Sequence, residues 1–427
     1  MEYFWIEGGH RLSGTVRPMG NKNAALPLLA ASLLTDEPLH LHNVPNIGDV
    51  FTKIELLQRM GTAVELDADG CCTAVARDVG ERQPDIDLSS QIRTAPLLAG
   101  PLLARRGQVT IGRPGGDRIG RRRLDTHFLA LQALGAEIEF GADRIALRAD
   151  RLRGNEIFLD EMSVTGTEQA VLAAVLAEGE TTISNAASEP HVQDVCRCLC
   201  AMGAHIDGIG TNCLSIEGVG ELGGATYTIG PDYMEVGSLI GLAAATGSDL
   251  RIENARPWEH RMTRIVFGRL GVEWQDEGDD IVVPAGQVLE VQTDVDGGIP
   301  KIDDMPWPGF PPDLVSIALV VATQARGSVL IHQKMFDRRL VFVDRLIEMG
   351  ASIVLCDPHR AVVIGPASLH GERLMSPDIR AGMAMVIAAL AAEGVSTIGN
   401  ITQIDRGYER FDERLRALGA HIERQGE

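Results

Sequence analysis

A sixfold internal repeat constrains this chain more than any other feature of its 427 residues. The segments LLQRMGTAVEL, LQALGAEIEF, LCAMGAHID, FGRLGVEW, LIEMGASIVL and LRALGAHIER recur with glycines at Gly61, Gly135, Gly203, Gly271, Gly350 and Gly419. In each copy an amphipathic helix stops at a glycine and a short strand follows, the pattern of a left-handed C′ residue closing the last turn. The first half of each unit repeats as well. A polar start leads into a nearly all-apolar run: NKNAALPLLAASLL, QIRTAPLLAGPLLA, SVTGTEQAVLAAVLA, PDYMEVGSLIGLAAA, PPDLVSIALVVATQ and SPDIRAGMAMVIAALAA. A helix that is apolar all round must be buried. Each unit therefore reads strand, buried helix, strand, outer helix, strand, an α/β chain of six units of about 70 residues. Units of that size suit two closed domains of three units better than a solenoid, whose ends need polar caps. The polar stretch at 218–234 is the expected crossing between them, and the Pro/Gly-rich stretch at 297–312 is long enough to be a functional loop.

Composition narrows the function. There are 39 Lys plus Arg against 59 Asp plus Glu, a formal charge of −20, which opposes a nucleic-acid or anionic-membrane surface. No apolar run approaches the roughly 20 residues needed to span a bilayer. The opening MEYFWIEGGH has no basic region followed by a long apolar one, so a soluble, cytoplasmic protein is expected. Seven scattered cysteines fit a reducing compartment. Cys196, Cys198 and Cys200 follow a helical pattern that sets Cys198 on a different face from the other two, and small core-facing side chains are the reading there. Cys71 and Cys72 adjoin a hairpin turn, and His40 and His42 share one face of a strand. Neither HExxH nor paired CxxC is present, so no catalytic metal and no cofactor are expected, and the P-loop and GxGxxG patterns are absent.

The polar residues at the starts of the buried helices are Lys22 with Asn23, Arg93, Ser163 with Thr165, Asp232 with Glu235, Asp313, and Asp378 with Arg380. Capping explains Ser163, Asp232, Asp313 and Asp378. It does not explain Lys22, Arg93 and Arg380, because a cation opposes the helix dipole there; an anion held among them does. Further arginines cluster in GRPGGDRIGRRRLDTH, HQKMFDRRL and ITQIDRGYERFDERL: Arg118, Arg121, Arg122, Arg123, Arg338, Arg339 and Arg406. Their planar forks match phosphate and carboxylate. Arg123, Arg338 and Arg410 are read as ordinary surface charge.

The motifs GNKNAALPLLAASLL, NVPNIGDV, RTAPLLAGPLLARRG, PGGDRIGRRRLDTH, SVTGTEQAVLAAVLAEGETTISNAASEP and IDRGYERFDERLRALGAHIE together resemble the enolpyruvyl transferase family along essentially the whole chain. The resemblance implies two inside-out α/β barrel domains of three repeats each, residues 1–21 plus 230–427 and residues 22–229, with the active site in the cleft and a mobile loop at 112–123. It implies transfer of the enolpyruvyl group of phosphoenolpyruvate to the 3-hydroxyl of UDP-N-acetylglucosamine, with release of phosphate through a tetrahedral intermediate. That is a step of peptidoglycan synthesis, and hence of cell-wall biogenesis, cell shape and division. A monomer is implied. By position, Asp313 matches the carboxylate that takes the hydroxyl proton. Lys22, Asn23, Arg122, Arg339, Arg380 and Arg406 match phosphoenolpyruvate contacts, with Lys22 and Arg406 also catalytic. Asn23, Arg93, Arg122, Asp125, Ser163, Val164, Thr165, Asp313 and Met335 match nucleotide-sugar contacts. Asp378 and Glu189 fall at supporting polar positions, and Asp232 with Glu235 at matching acidic ones.

Departures from the family pattern are as informative. Asp117 stands where most members have Cys, so Asp117 is expected to be the general acid and the chain to be insensitive to fosfomycin, which alkylates that thiol. Glu161 replaces a common Lys, Arg123 a Pro, Thr165 a Gly and Pro312 a Thr. Arg123 could make up for the cation lost at Glu161. Another acceptor, whether a different nucleotide or nucleotide sugar or, with less support, shikimate 3-phosphate, and a catalytically silent nucleotide-binding homologue remain the alternatives.

Overall fold

The computed structural model describes residues 2–80, 82–116, 119–120 and 122–426. It divides into two compact units, Met1–Met19 with Arg118–Arg121 and Pro231–Glu427, and Gly20–Asp117 with Arg122–Gly230. Among the described residues each unit holds three small sheets, five of the six sheets four-stranded and one three-stranded. The four-stranded sheets share one plan. A parallel edge pair is followed by two antiparallel pairs, as where Glu156–Phe158 runs parallel to Glu180–Ser184, which pairs antiparallel with Cys213–Glu217 and through it His205–Asp207. Chain ends supply strands to this plan. Tyr3–Glu7 lies between Val395–Gly399 and His421–Gln425, and Ser13–Val16 runs parallel to Asp249–Ile252.

The six glycines of the repeat do what their spacing predicts. All have positive φ, between 82° and 106°. Behind each, the next amide reaches back five residues to the helix, from Thr62 to Leu57, Ala136 to Leu131, Ala204 to Leu199, Val272 to Phe267, Ala351 to Leu346 and Ala420 to Leu415, at 2.9–3.0 Å. This is the Schellman arrangement, and it turns the chain from outer helix into strand at six equivalent places.

The apolar runs form the core. In the first unit Tyr233–Thr246, Val315–Gln324 and Ile379–Ala391 pack against one another and are buried on nearly every side. Small residues permit the close approach: a Cβ on Gly241 would lie 2.3 Å from Ile317 Cγ2. That packing is why the chain uses so few aromatic residues. In the second unit the equivalents are Lys22–Ala31, Ala99–Arg106 and Val164–Ala174. The second begins not as one helix but as a 3₁₀ segment, Ala95–Leu98, where Pro96 removes an amide donor.

The structure settles both cysteine clusters. Asp67 and Cys71 close the expected hairpin turn, the Asp67 amide donating to the Cys71 carbonyl at 3.0 Å. On Pro190–Ala201 both Cys196 and Cys198 are buried, so the face expected to separate Cys198 is itself core, and burial raises both thiols to about 12. His40 and His42 are exposed on one face of Leu39–His42.

Candidate functional site

In the first unit Asp313 joins two arginines. Its Oδ1 accepts from Arg339 Nη2 at 2.5 Å and its Oδ2 from Arg380 Nε at 2.8 Å. The sequence suggests a helix cap at Asp313, but the residue lies inside the 3₁₀ turn Pro312–Leu314. The helix proper starts after Leu314, so the carboxylate faces the guanidiniums instead. Asp378 does cap Ile379–Ala391, accepting from the Arg380 and Ala381 amides at 2.9 and 3.0 Å, and it also accepts from Arg339 Nη1 at 3.3 Å. Arg380 Nη1 donates to the Tyr408 hydroxyl at 3.0 Å, and that hydroxyl lies 3.2 Å from Ser238 Oγ.

Two arginines, two carboxylates and a phenol thus share one buried network. Burial works against the Arg380 charge, but Tyr408, Asp313 and Asp232 outweigh it and its pKa is raised. Arg339 Nε is buried with no hydrogen-bond partner among the described residues. Asp232 caps Tyr233–Thr246, and burial raises its pKa against the pull of Arg380. Glu235, which the sequence groups with Asp232, accepts from the Met19 amide at 2.7 Å and pairs with Arg414. Arg406 follows Thr402–Asp405 and donates to Gln403 at 3.0 Å, and Met335 is held through its amide by Asp304 at 3.0 Å.

In the second unit Lys22 opens Lys22–Ala31 and meets Asp49 at 2.6 Å, both side chains largely buried. The cap is Asn21, whose side chain accepts from the Asn23 and Ala24 amides at 2.9 and 3.3 Å. Ser163 caps Val164–Ala174 through the Gly166 amide at 3.2 Å. Two residues on, Thr165 Oγ1 lies 2.8 Å from His127 Nε2. Burial first, then Arg93 and Arg122, depress the His127 pKa to about 3, so it stands neutral in a cationic neighbourhood. Arg93 donates to the Arg123 carbonyl at 2.6 Å, and burial together with Arg122 lowers its own pKa to about 10. Arg122 works against the Arg93 charge, and Glu161 offsets part of that effect.

Arg123, the candidate substitute for a cation lost at Glu161, is held by Asp125 at 2.5 Å and Asp160 at 3.1 Å. Asp160 also accepts from Thr126 at 2.8 Å. Asp117, Arg118 and Arg121 lie outside the described residues. Arg410 pairs with Glu413, in keeping with its surface reading.

Sequence reasoning missed Asn21, Asp49 and Tyr408, and it missed Lys53. Lys53 is fully buried one turn beyond Asp49, donating to the Thr94 carbonyl at 3.0 Å, with burial depressing its pKa to about 7 against the opposing charge of Glu168. Glu168 is raised by burial and by Glu189. The available signal was an Asp and a Lys at i and i+4 on the helix Gly48–Arg59, inside NVPNIGDV and just after it.

Three comparisons bear on this arrangement. A family profile described as EPSP synthase (3-phosphoshikimate 1-carboxyvinyltransferase) matches residues 6–415. The chain is 56% identical over 419 residues to a UDP-N-acetylglucosamine 1-carboxyvinyltransferase of Bradyrhizobium diazoefficiens, covering 98% of this chain and 97% of that protein. It is 54% identical to the protein of the same name from Treponema denticola, covering 99% of each. Among solved structures, the enolpyruvyl transferase NikO from Streptomyces tendae superposes with a TM-score of 0.88 at 24% identity over 99% of both chains. An EPSP synthase from Acinetobacter baumannii gives 0.74 at 20% over the full length of each. At those identities the structures speak for the fold alone: paired domains of repeated α/β units, as the six sheets and buried helices require. With the profile spanning nearly all of it and the relatives matching it end to end, the chain belongs to the EPSP synthase family of enolpyruvyl transferases.

Proposed function

We propose that this chain transfers the enolpyruvyl group of phosphoenolpyruvate to the 3-hydroxyl of UDP-N-acetylglucosamine and releases phosphate. The observation that carries the reading is Asp313 held between Arg339 and Arg380, in a chain that matches relatives of that name over its whole length. The acceptor oxygen bonds to C2 of phosphoenolpyruvate while C3 gains a proton, giving a tetrahedral ketal. Loss of a C3 proton and of phosphate then restores the double bond. Asp313, as a carboxylate, takes the hydroxyl proton. Arg339 and Arg380 bind the substrate carboxylate, for which a guanidinium fork is suited. Lys22, Arg122 and Arg406 bind the phosphate, and Asn23 contacts both substrates.

Arg93, Asp125, Ser163, Val164, Thr165 and Met335 bind the nucleotide sugar. The positive charges of Arg93 and Arg122, both close enough to His127 to lower its pKa, support an anion at that end of the second unit. Asp117 delivers the proton to C3, because it occupies the position that Cys fills in most members. Cations around a trianionic substrate stabilise charge that develops as phosphate leaves. On this reading the chain acts as a monomer in the cytoplasm, in peptidoglycan precursor synthesis, with residues 1–21 plus 230–427 and residues 22–229 as its two domains.

The reading is tested by mass spectrometry of the nucleotide sugar after incubation with phosphoenolpyruvate. The expected product carries one carboxyvinyl group in place of a hydrogen, and an unchanged nucleotide sugar overturns the proposal.

A further inference from the structure

Apart from every residue assigned above, the first and last strands of the first unit bring two histidines and a glutamate together. Glu7 ends Tyr3–Glu7 and His421 begins His421–Gln425, and the two are direct partners in the antiparallel pair. His421 Nδ1 lies 2.9 Å from Glu7 Oε2, and His10 Nε2 lies 3.8 Å from the same oxygen. The two imidazoles stack at 3.9 Å between centroids with a 34° tilt. One ligand atom from each of the three residues lies within 4.8 Å of the others.

The backbone fixes this placement. His10 returns over Glu7 only because Gly8 and Gly9 turn the chain. The Gly8 amide donates to the Gly394 carbonyl at 3.0 Å and the Gly9 amide to Leu390 at 2.9 Å, so the turn is tied to the end of Ile379–Ala391 and the strand beyond. A Cβ at Gly8 would sit 2.1 Å from the Ala389 carbonyl oxygen, and Gly9 has φ +82°. The chain thus spends two glycines on a turn that delivers a histidine to a carboxylate already holding another.

We propose that His10, His421 and Glu7 form a binding site for a divalent transition-metal ion, with zinc the best fit. Two imidazoles and one carboxylate are a borderline-soft, singly charged donor set, which suits zinc and its neighbours and not magnesium or calcium. Bonds of about 2.0–2.2 Å in a tetrahedral site need only side-chain rotations to draw the three donor atoms together, with solvent in the fourth position. All three side chains are roughly half exposed, so the ion has a path in. The site is a clip, because it joins residues 414 apart in sequence at the two ends of the chain. It takes no part in the transfer reaction.

The test is calorimetric titration of zinc chloride into the untagged chain, with melting curves alongside. One zinc per chain is expected, each of His10→Ala and His421→Ala weakening it about 10-fold or more. At roughly a hundredfold excess over the dissociation constant the melting temperature should rise by about 3 °C. Magnesium should give neither effect. Absence of binding, or one zinc retained at full affinity in the His10→Ala/His421→Ala double variant, overturns the proposal. Retention would place the ion elsewhere in the chain.

Discussion

Asp313 Oδ2 accepts from Arg380 Nε at 2.8 Å across 67 residues of sequence, while its other oxygen accepts from Arg339. One carboxylate therefore holds the two guanidiniums assigned to the substrate carboxylate, and under the proposed function it is also the base. Asp313→Asn keeps the shape and removes the base. Turnover should fall by about 10²–10⁴-fold. Steady-state phosphate release from phosphoenolpyruvate and the nucleotide sugar measures it, and a loss of under tenfold would contradict the role.

Asp117 makes a separate prediction. The wild-type chain should show no time-dependent inactivation by fosfomycin and no adduct at residue 117 by mass spectrometry of the intact protein. Asp117→Cys should gain both, because a thiolate is the nucleophile that the epoxide needs. Asp117→Asn should lose most turnover while still binding the nucleotide sugar, since it cannot deliver a proton. An adduct on the wild-type Asp117 would refute the first part.

Acid should unfold the protein by way of two buried histidines. His127 and His260 both have pKa values pushed down to about 3, in each case by burial first. Unfolded, each binds a proton near pH 6.5, so the unfolded state holds more protons throughout the window between. Their contribution is complete above pH 6.5 and is lost progressively as pH falls towards 3, up to roughly 5 kcal/mol each. His260→Gln should flatten the fall of melting temperature between pH 6.5 and 4. A slope unchanged from wild type would show that the unfolded-state protonation of His260 is not linked to folding.

The six helix-ending glycines separate backbone strain from crowding. Gly203 has φ +106° and a Cβ added there would meet nothing within 4 Å, whereas Gly271 has φ +82° and its Cβ would lie 2.6 Å from the Glu290 nitrogen. Gly203→Ala should cost about 1–2 kcal/mol from backbone conformation alone. Gly271→Ala should cost more, because Glu290 must also move. Urea melts of the two variants decide it, and an equal cost would mean that the crowding at Gly271 relaxes freely.

What could be read from the sequence follows physical lines. The helix stops were legible because a positive φ at C′ demands glycine, and the core helices because a run apolar on every side has nowhere to go but inside. Arg93, Ser163 and Arg380 stood out because charge or hydroxyl at a buried helix start is conspicuous, and Arg339 because arginines cluster in its loop. Lys53 and Asp49 were not, since a charged residue on an outer helix reads as solvated until burial is seen. The partners of Glu235 were not legible either, since Arg414 and the Met19 amide reach it from distant parts of the sequence. Asp313 looked like a cap because Pro311 and Pro312 delay the helix by a turn, which no periodicity reveals. Tyr408, 28 residues beyond Arg380, carried no local signal at all.

The most direct test of the central claim is phosphate release from phosphoenolpyruvate measured with UDP-N-acetylglucosamine, with shikimate 3-phosphate and with no acceptor. Release with UDP-N-acetylglucosamine alone is the predicted result. Release driven by shikimate 3-phosphate, or none with either acceptor, would contradict it.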